Sequence, residues 1–578
     1  MTQTVKIVYA STIGMPLKTF LAWIIAVVSP AALAAADAAA EPPNIVLIVA
    51  DDLGFSDIGS YGSEVQTPNI DRLAAGGVRF TQFYNMARCC PTRAALLTGV
   101  YPHQAGVGAM VQDLGEPGYR GELNNSCVTI AEVLSRGGYE TAMVGKWHLS
   151  HLSVSDMGVG AKPVLNFEID APISPGSSTK SWPVNRGFHQ MWGTIAGVNN
   201  FYNPWSFVHN ETAIRPPKDF YYTDFIANKS VELIGKFGRV TDPKPFFLYV
   251  AHTAPHWPLQ AREADIKKYE AVYRKGWDRL RDERYERLLQ LGIIKPNWKL
   301  APRETDQPKR HPVVSWEKAE HQDWEVRRMA TYAAMIESMD EGIGKILAKL
   351  DDLGMGDNTL ILFMSDNGGC AENVQPNWYD IPNKTRDGRP IHIGNDDQTI
   401  IAGPEETFMS YGAAWANVSN TPFRSFKHFT YEGGIATPLI AYWPDRIRRK
   451  GELEKQVGHV IDIMPTCLAA AEVPYPKSFN GHEILQAEGI NLLPAMEGIA
   501  TYERRPLFWE HEGSRAVRDG QWKLVASHRQ PWQLFDLNAD RTELNDLALL
   551  EPQRVQAMLK LYGEWAARCH VLPWPVRD

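Results

Sequence analysis

The chain has 578 residues, 44% hydrophobic and 22% charged, the proportions of a globular protein rather than a disordered or fibrous one. At roughly 100 to 200 residues per domain, it holds one large domain and a smaller one, or two to four modest ones, and a single small module is excluded. Its 59 Lys and Arg are outnumbered by 67 Asp and Glu, for a net charge of -8, so there is no general attraction to a phosphate backbone and nucleic acid is not an expected partner.

At the start of the chain, Lys6 and Lys18 precede an apolar run from Phe20 to Val28 and the small-residue stretch PAALAAADAAA, the layout of a secretory signal peptide. Cleavage after Ala34 satisfies the small-x-small rule, and Met15 would open a more compact signal. A membrane anchor is the alternative, but a spanning helix needs about 20 apolar residues, and Pro30 and Asp37 crowd this run. The expectation is an exported protein, periplasmic or secreted, without stable membrane insertion. Loss of residues 1–34 takes away two lysines and no acid, leaving 57 basic against 67 acidic side chains. The six cysteines, Cys89, Cys90, Cys127, Cys370, Cys467 and Cys569, form no C-x-x-C pair, so a zinc knuckle or thioredoxin-type motif has no support. Export would permit disulfides, with connectivity left open.

Short apolar runs then recur: NIVLIVA at 44–50, TAMVG at 141–145, FFLYVA at 246–251, TLILFM at 359–364 and PLIAYW at 438–443. They have the look of buried parallel strands. Amphipathic segments such as TIAEVLSRGG and MATYAAMIESMDEGIGKILAKLDDLG lie between them, the second ending on Gly354 as at a helix C-cap. Alternating strand and helix predicts an α/β sandwich. The charged stretch from about Arg262 to Arg328 predicts a solvated helical insertion with no further role. The segment from Glu372 to Asn420 is long, polar and rich in Asp, Asn, Gly and Pro, the composition of a functional or disordered loop. Beyond about residue 475, SRAVRDGQWKLVAS and WQLFDL alternate around a DG turn, which predicts an antiparallel hairpin in a smaller subdomain. The division is therefore a signal peptide over 1–34, a catalytic α/β domain over 41–475 and a small C-terminal α+β subdomain over 476–578.

Open α/β sheets bind ligands beyond the carboxyl ends of their strands. The residues there are Asp51 and Asp52, Lys146 and His148, His252 and His256, and Asp366 and Asn367. Asp51, Asp52, Asp366 and Asn367 form an all-oxygen set suited to a hard divalent cation, calcium or magnesium rather than zinc, with calcium the more tolerant of irregular geometry. Taken singly, D-D and D-N-G-G are ordinary turn or cap residues; the metal reading rests on their coincidence at two strand ends.

At 89–99 the chain reads CCPTRAALLTG, which resembles the signature of the type I, formylglycine-dependent sulfatases, Cys-X-Pro-Ser/Thr-Arg-X-X-X-Leu-Thr-Gly. Cys89, Pro91, Thr92, Arg93, Leu97, Thr98 and Gly99 match. Further family motifs follow in order: DDLG at 51–54, GKWHL at 145–149, APHWPLQA at 254–261, SDNGG at 365–369 and TPFRSFKHFTYEGG at 421–434. The resemblance spans nearly the whole chain after the leader and is closest to the bacterial arylsulfatase branch. Thr92 replaces the commoner Ser, Cys90 fills the variable place, and Ala436 stands where many relatives carry Arg.

This resemblance implies an alkaline phosphatase-like α/β sandwich, with a large mostly parallel central sheet flanked by helices and a small C-terminal subdomain with an antiparallel sheet. It implies a sulfuric ester hydrolase in which a formylglycine-generating enzyme oxidises Cys89 during maturation. The hydrated aldehyde is a gem-diol: one hydroxyl takes the sulfate and the other expels it, an exit that a serine ester would lack. By resemblance, Asp51, Asp52, Asp366, Asn367 and residue 89 hold one Ca2+, with Mg2+ possible. Asp366 would also take the nucleophile's proton. Arg93 sits against the diol, Lys146 and Lys427 bind sulfate oxygens, His148 assists breakdown of the sulfated hemiacetal and His256 protonates the leaving oxygen. His252 and His151 match no motif position and are left structural. The substrate is a small-molecule or glycan sulfate ester. Two other readings stay open: a phosphonate or phosphate ester hydrolase using the same site, and an inactive binder of sulfated glycans should Cys89 never be converted. There is no G-x-S-x-G elbow, P-loop or H-E-x-x-H.

Overall fold

Each of the five apolar runs falls in a strand of one large sheet, PLIAYW but for its last residue, Trp443. The computed structural model describes residues 41–151, 171–172, 179–239, 244–304, 313–376, 381–500 and 503–576; the expected signal peptide lies outside them. The principal strands are β1 (Asn44–Asp51), β2 (Val78–Tyr84), β3 (Glu140–Lys146), β4 (Gln190–Thr194), β5 (Phe246–Pro255), β6 (Thr359–Ser365) and β7 (Ala436–Tyr442). They stand in the order β2-β7-β6-β1-β5-β3-β4 within a 12-stranded sheet. Every residue of β5 and β6 is buried, which is why both read as unbroken apolar runs. Strand β2, VRFTQFY, is not such a run, because Arg79 and Gln82 interrupt it at half-buried positions.

Strands β6, β1, β5, β3 and β4 are mutually parallel. β7 corrects the expectation for PLIAYW: it runs antiparallel to both β6 and β2. The chain turns through Glu432–Ile435 directly into β7 at the carboxyl rim. With no crossover to carry it back to the far edge, the strand has to run the other way.

The charged insertion also differs from expectation. Its helices Glu263–Tyr273 and Trp277–Gln290 carry solvated ion pairs, but Arg284 is fully buried. Its guanidinium reaches Asp57 Oδ1 at 2.6 Å and Glu64 Oε1 at 2.7 Å, tying the insertion to the loop after β1. Asp57 Oδ2 also accepts from Tyr332 Oη at 2.7 Å, and that hydroxyl lies 3.0 Å from the Asp52 carbonyl. Tyr332 belongs to the 31-residue helix Gln322–Asp352.

A separate four-stranded antiparallel sheet follows, β8 (Leu507–His511), β9 (Ser514–Asp519), β10 (Trp522–Ala526) and β11 (Gln533–Asp536). The helix Pro552–Arg568 packs on β9 and β10. Residues from Pro42 to Asp578 are one compact unit, and a fully buried polar cluster joins the two sheets. Glu432 accepts from Lys523 at 2.9 Å, Arg541 at 2.8 Å and Tyr84 at 2.8 Å, while Glu543 lies 2.8 Å from the same lysine. All six cysteines are buried free thiols. Among the described residues no helix is long and apolar enough to cross a membrane.

Candidate active site

Register brings the acidic residues together. Asn44 pairs with Thr359 and the ladder runs in step to Ala50 opposite Ser365, so Asp51 and Asp366 leave β1 and β6 side by side. Asp52 follows in a left-handed conformation, φ 64°, which turns its side chain back toward the same rim. β5 delivers His256 and β3 delivers Lys146 to that rim. Lys427 comes from the loop before β7, its amide 3.2 Å from the Gly369 carbonyl of the SDNGG turn.

Residue 89 opens the helix Cys89–Thr98, where unpaired amides favour negative charge. The helix is buried on all sides and ends at Gly99, whose φ of 71° lets its amide cap the Ala95 carbonyl at 2.9 Å. One turn on, Arg93 is fully buried. Its Nε and Nη2 each lie 2.9 Å from Asp366 Oδ2, and its Nη1 donates to the Lys146 carbonyl at 2.9 Å. The signature arginine thus ties the helix to both strand ends.

Lys146 Nζ donates to Asp51 Oδ2 at 2.5 Å, and Lys427 Nζ lies 2.8 Å from Asp52 Oδ1. Asp51 and Asp366 are raised above the usual carboxylate range, first by burial, with Asp51 pushed further by the Asp366 charge. Asp52 is lowered, because His256 and Lys427 outweigh its burial. A hydrogen bond with Cys90, then His148 and Lys146, holds the Cys89 thiol well below its ordinary range despite burial. His148 is pushed down to about 4 and His256 to about 3, both chiefly by burial, so both rings are neutral near pH 7. Space for the His148 ring is made by Gly197, where a Cβ would fall 2.0 Å from the ring.

The donor set suits a hard cation. Asp51 Oδ1 and Asn367 Oδ1 are buried without a hydrogen-bond partner, beside carboxylates that burial leaves poorly compensated. Asn367 turns its Nδ2 to Asp52 Oδ1 at 2.6 Å; an amide flip would turn the orphaned oxygen inward.

Above residue 89 lies a cavity of about 320 Å3, floored by Cys89, His148, His256 and Lys427 and walled by Met110, Val111, Val198, Trp205, Trp257 and Ile381. Every site residue expected from the motifs stands at this floor or directly beneath it. His252 is buried with both ring nitrogens unpartnered, and His151 lies at the cavity's edge. The sequence reading missed Glu372 and Arg88. Glu372 pairs with Arg88 at 2.8 Å, accepts from Trp257 Nε1 at 2.8 Å and lies 4.0 Å from Lys427 Nζ. An acidic residue six positions after Asp366, at the start of a polar loop, was the available signal.

The sulfatase family model matches residues 43–473. The chain belongs to the sulfatase family. A second model, the C-terminal region of N-sulphoglucosamine sulphohydrolase, matches residues 423–564. An uncharacterised sulfatase of Schizosaccharomyces pombe is 32% identical over 571 residues, covering 93% of this chain and 96% of that protein. The arylsulfatase of Klebsiella aerogenes is 31% identical over 470 residues, covering 78% of this chain and 91% of its own length. Among solved structures, Ps i-CgsB is similar with a TM-score of 0.62 at 25% identity, covering 91% of this chain and 93% of that one. With this family and these relatives, the sulfatase is a sulfuric ester hydrolase with the mixed α/β sandwich and separate antiparallel sheet described above.

Proposed function

We propose that this sulfatase cleaves sulfate monoesters in the 320 Å3 cavity, with residue 89 in its formylglycine form as nucleophile and Asp51, Asp52, Asp366, Asn367 and residue 89 holding one Ca2+, or Mg2+ in its place. The observation that carries the reading is the junction at Arg93, which bonds Asp366 and the Lys146 carbonyl from the helix that residue 89 opens. Converted, residue 89 would supply a hydrated aldehyde, one hydroxyl for attack and one for release. The cation, when bound, would lower the nucleophile's pKa and oppose charge on the sulfate oxygens.

The chain's own groups divide the remaining work. Arg93 fixes the Asp366 carboxylate, which would take the nucleophile's proton. Lys427 at the floor and Lys146 beneath it would bind sulfate oxygens, each now resting on an aspartate that a bound cation would engage. Neutral His148, beside Cys89, would accept a proton as the sulfated diol breaks down. His256 would protonate the leaving oxygen. The apolar walls Met110, Val111, Val198, Trp205 and Ile381 favour an aryl or otherwise apolar leaving group. Ps i-CgsB has also been solved in complex with a neocarrahexaose, and a sulfated glycan reaching the cavity by one terminal sugar is the other substrate form this reading covers. Export by the leader, and maturation by a formylglycine-generating enzyme, complete it.

The deciding measurement is a mass spectrum of the peptide across Cys89, with parallel assays on an aryl sulfate, a phosphate diester and a phosphonate monoester. Formylglycine at 89, a free thiol at Cys90 and preference for the sulfate ester are expected. Unmodified Cys89 in fully active enzyme would sink the mechanism; a preference for the phosphorus esters would overturn the substrate class.

A further inference from the structure

We propose that His428, His511 and Glu512 form a second cation site, for a borderline transition metal such as Zn2+, behind the wall of the active-site cavity. Their donor atoms, one from each residue, all lie within 4.8 Å of one another. Two imidazoles and a carboxylate are the donor types that select zinc-like ions, in contrast to the all-oxygen set at the cavity floor. Three protein donors leave a fourth position open to water.

His511 supplies the observation that turns proximity into a site. Its ring is fully buried, yet neither Nδ1 nor Nε2 has a hydrogen-bond partner. A buried imidazole with two unsatisfied nitrogens is costly, and a cation among these donors would remove that cost. The other two residues keep an entry path: the His428 side chain is 32% exposed and that of Glu512 36%. Both hold left-handed backbone, φ 82° at His428 and 48° at Glu512, conformations that non-glycine residues keep where the surroundings impose them and that gather at functional sites.

The surroundings explain how the site would load. His428 Nδ1 faces Glu512 Oε2 at 3.8 Å, and Nε2 lies 2.9 Å from Glu372 Oε1 and against Arg88 Nη1. Glu372 Oε1 accepts from Nε2–H at 2.9 Å, which leaves the Nδ1 lone pair free for the ion. A carboxylate then backs a metal-bound histidine in the usual manner. The Arg88 charge opposes the incoming cation, but Glu372 pairs with it at 2.8 Å, and Glu512 supplies a further negative charge. Since Arg88 and Glu372 both line the cavity, an ion here would stand one side chain behind its wall.

The test is a Co2+ titration of the full-length enzyme held in saturating Ca2+. One further equivalent of Co2+ per chain is expected, with visible bands of nitrogen and oxygen coordination and no thiolate-to-cobalt charge transfer. Thiolate bands would place the ion beside His148, on Cys90 and any unconverted Cys89, and would overturn the proposal. His511→Gln should weaken Co2+ binding by at least about tenfold. Glu512→Ala, at a partly exposed position with little bearing on folding, should do the same. An isotherm unchanged in Glu512→Ala would refute the site whatever becomes of the His511 variant.

Discussion

Lys427 Nζ stands 3.2 Å from His256 Nε2, and both groups face Asp52. The opposite ring nitrogen, Nδ1, lies 2.5 Å from the Trp257 carbonyl and so carries the ring proton. Nε2 is therefore an acceptor, and the lysine is its donor. For His256 to serve as the proposed acid, Lys427 would first pass its proton to Nε2, and Nε2 would then give it to the leaving oxygen, leaving the lysine neutral.

That path sets the first prediction. An alkoxide needs a proton to leave, whereas 4-nitrophenolate does not. His256→Ala should lose about 10² to 10⁴ in turnover on an alkyl or sugar sulfate and much less on 4-nitrophenyl sulfate. A plot of log turnover against leaving-group pKa should be steeper and more negative for the variant. Parallel lines for variant and wild type would show that His256 only binds sulfate and would shift the donor role to Lys427.

The oxygen donors set the second. Elemental analysis of protein purified without added metal should find about one calcium or magnesium per chain. Asp366→Ala should lose that equivalent and abolish turnover, since it removes a donor and strips Arg93 of its partner. Zinc in place of calcium and magnesium, or retained calcium in the variant, would count against the assignment.

The cluster between the sheets sets the third. Glu543 is raised from 4.5 to about 7 by burial and by the charge on Glu432, against the pull of Lys523. Its proton is held by the folded state, so its contribution to stability is fully present below pH 4.5 and is lost as pH rises through 7. Stability should fall across that window. By the linkage of pKa to free energy the fall is on the order of 3 kcal/mol, and Glu543→Gln should flatten it. Denaturation midpoints from pH 4.5 to 8 measure this; equal slopes in both proteins would show that Glu543 is ionised throughout.

Arg284 sets the fourth. Arg284→Ala leaves Asp57 buried without its guanidinium, which should cost about 3 to 5 kcal/mol in denaturant titrations. Through Tyr332 the loss should reach the Asp52 loop and weaken calcium binding as well. A cost below about 1 kcal/mol with unaltered calcium affinity would mean the insertion is only the solvated appendage its composition suggests.

What could be read in the sequence depended on how local the signal was. Asp51, Lys146, His256 and Asp366 were legible because a strand end is a place on the rim, and an unbroken apolar run marks where the strand stops. Lys427 lies in a loop before the one antiparallel strand of the central group, and only its motif placed it. Glu372 and Arg88 were hidden because their importance is a pairing across 284 positions of sequence. Arg284 was misjudged for the opposite reason: in a run of charges, nothing local distinguishes the one whose partners lie in the loop after β1. The direction of β7 was equally silent, because a buried strand has the same composition either way round.

Cys89 is 1% exposed, and each residue from Cys89 to Thr98 is buried. The cavity above it admits a small ester but not a second protein gripping the flanking peptide. A maturation enzyme would reach Cys89 only before the helix closes, so the conversion proposed here would take place during biosynthesis rather than on the finished enzyme. Molecules that folded first would then be committed, since later maturation machinery would need them unfolded. Specific activity in any preparation would then record a race between modification and folding.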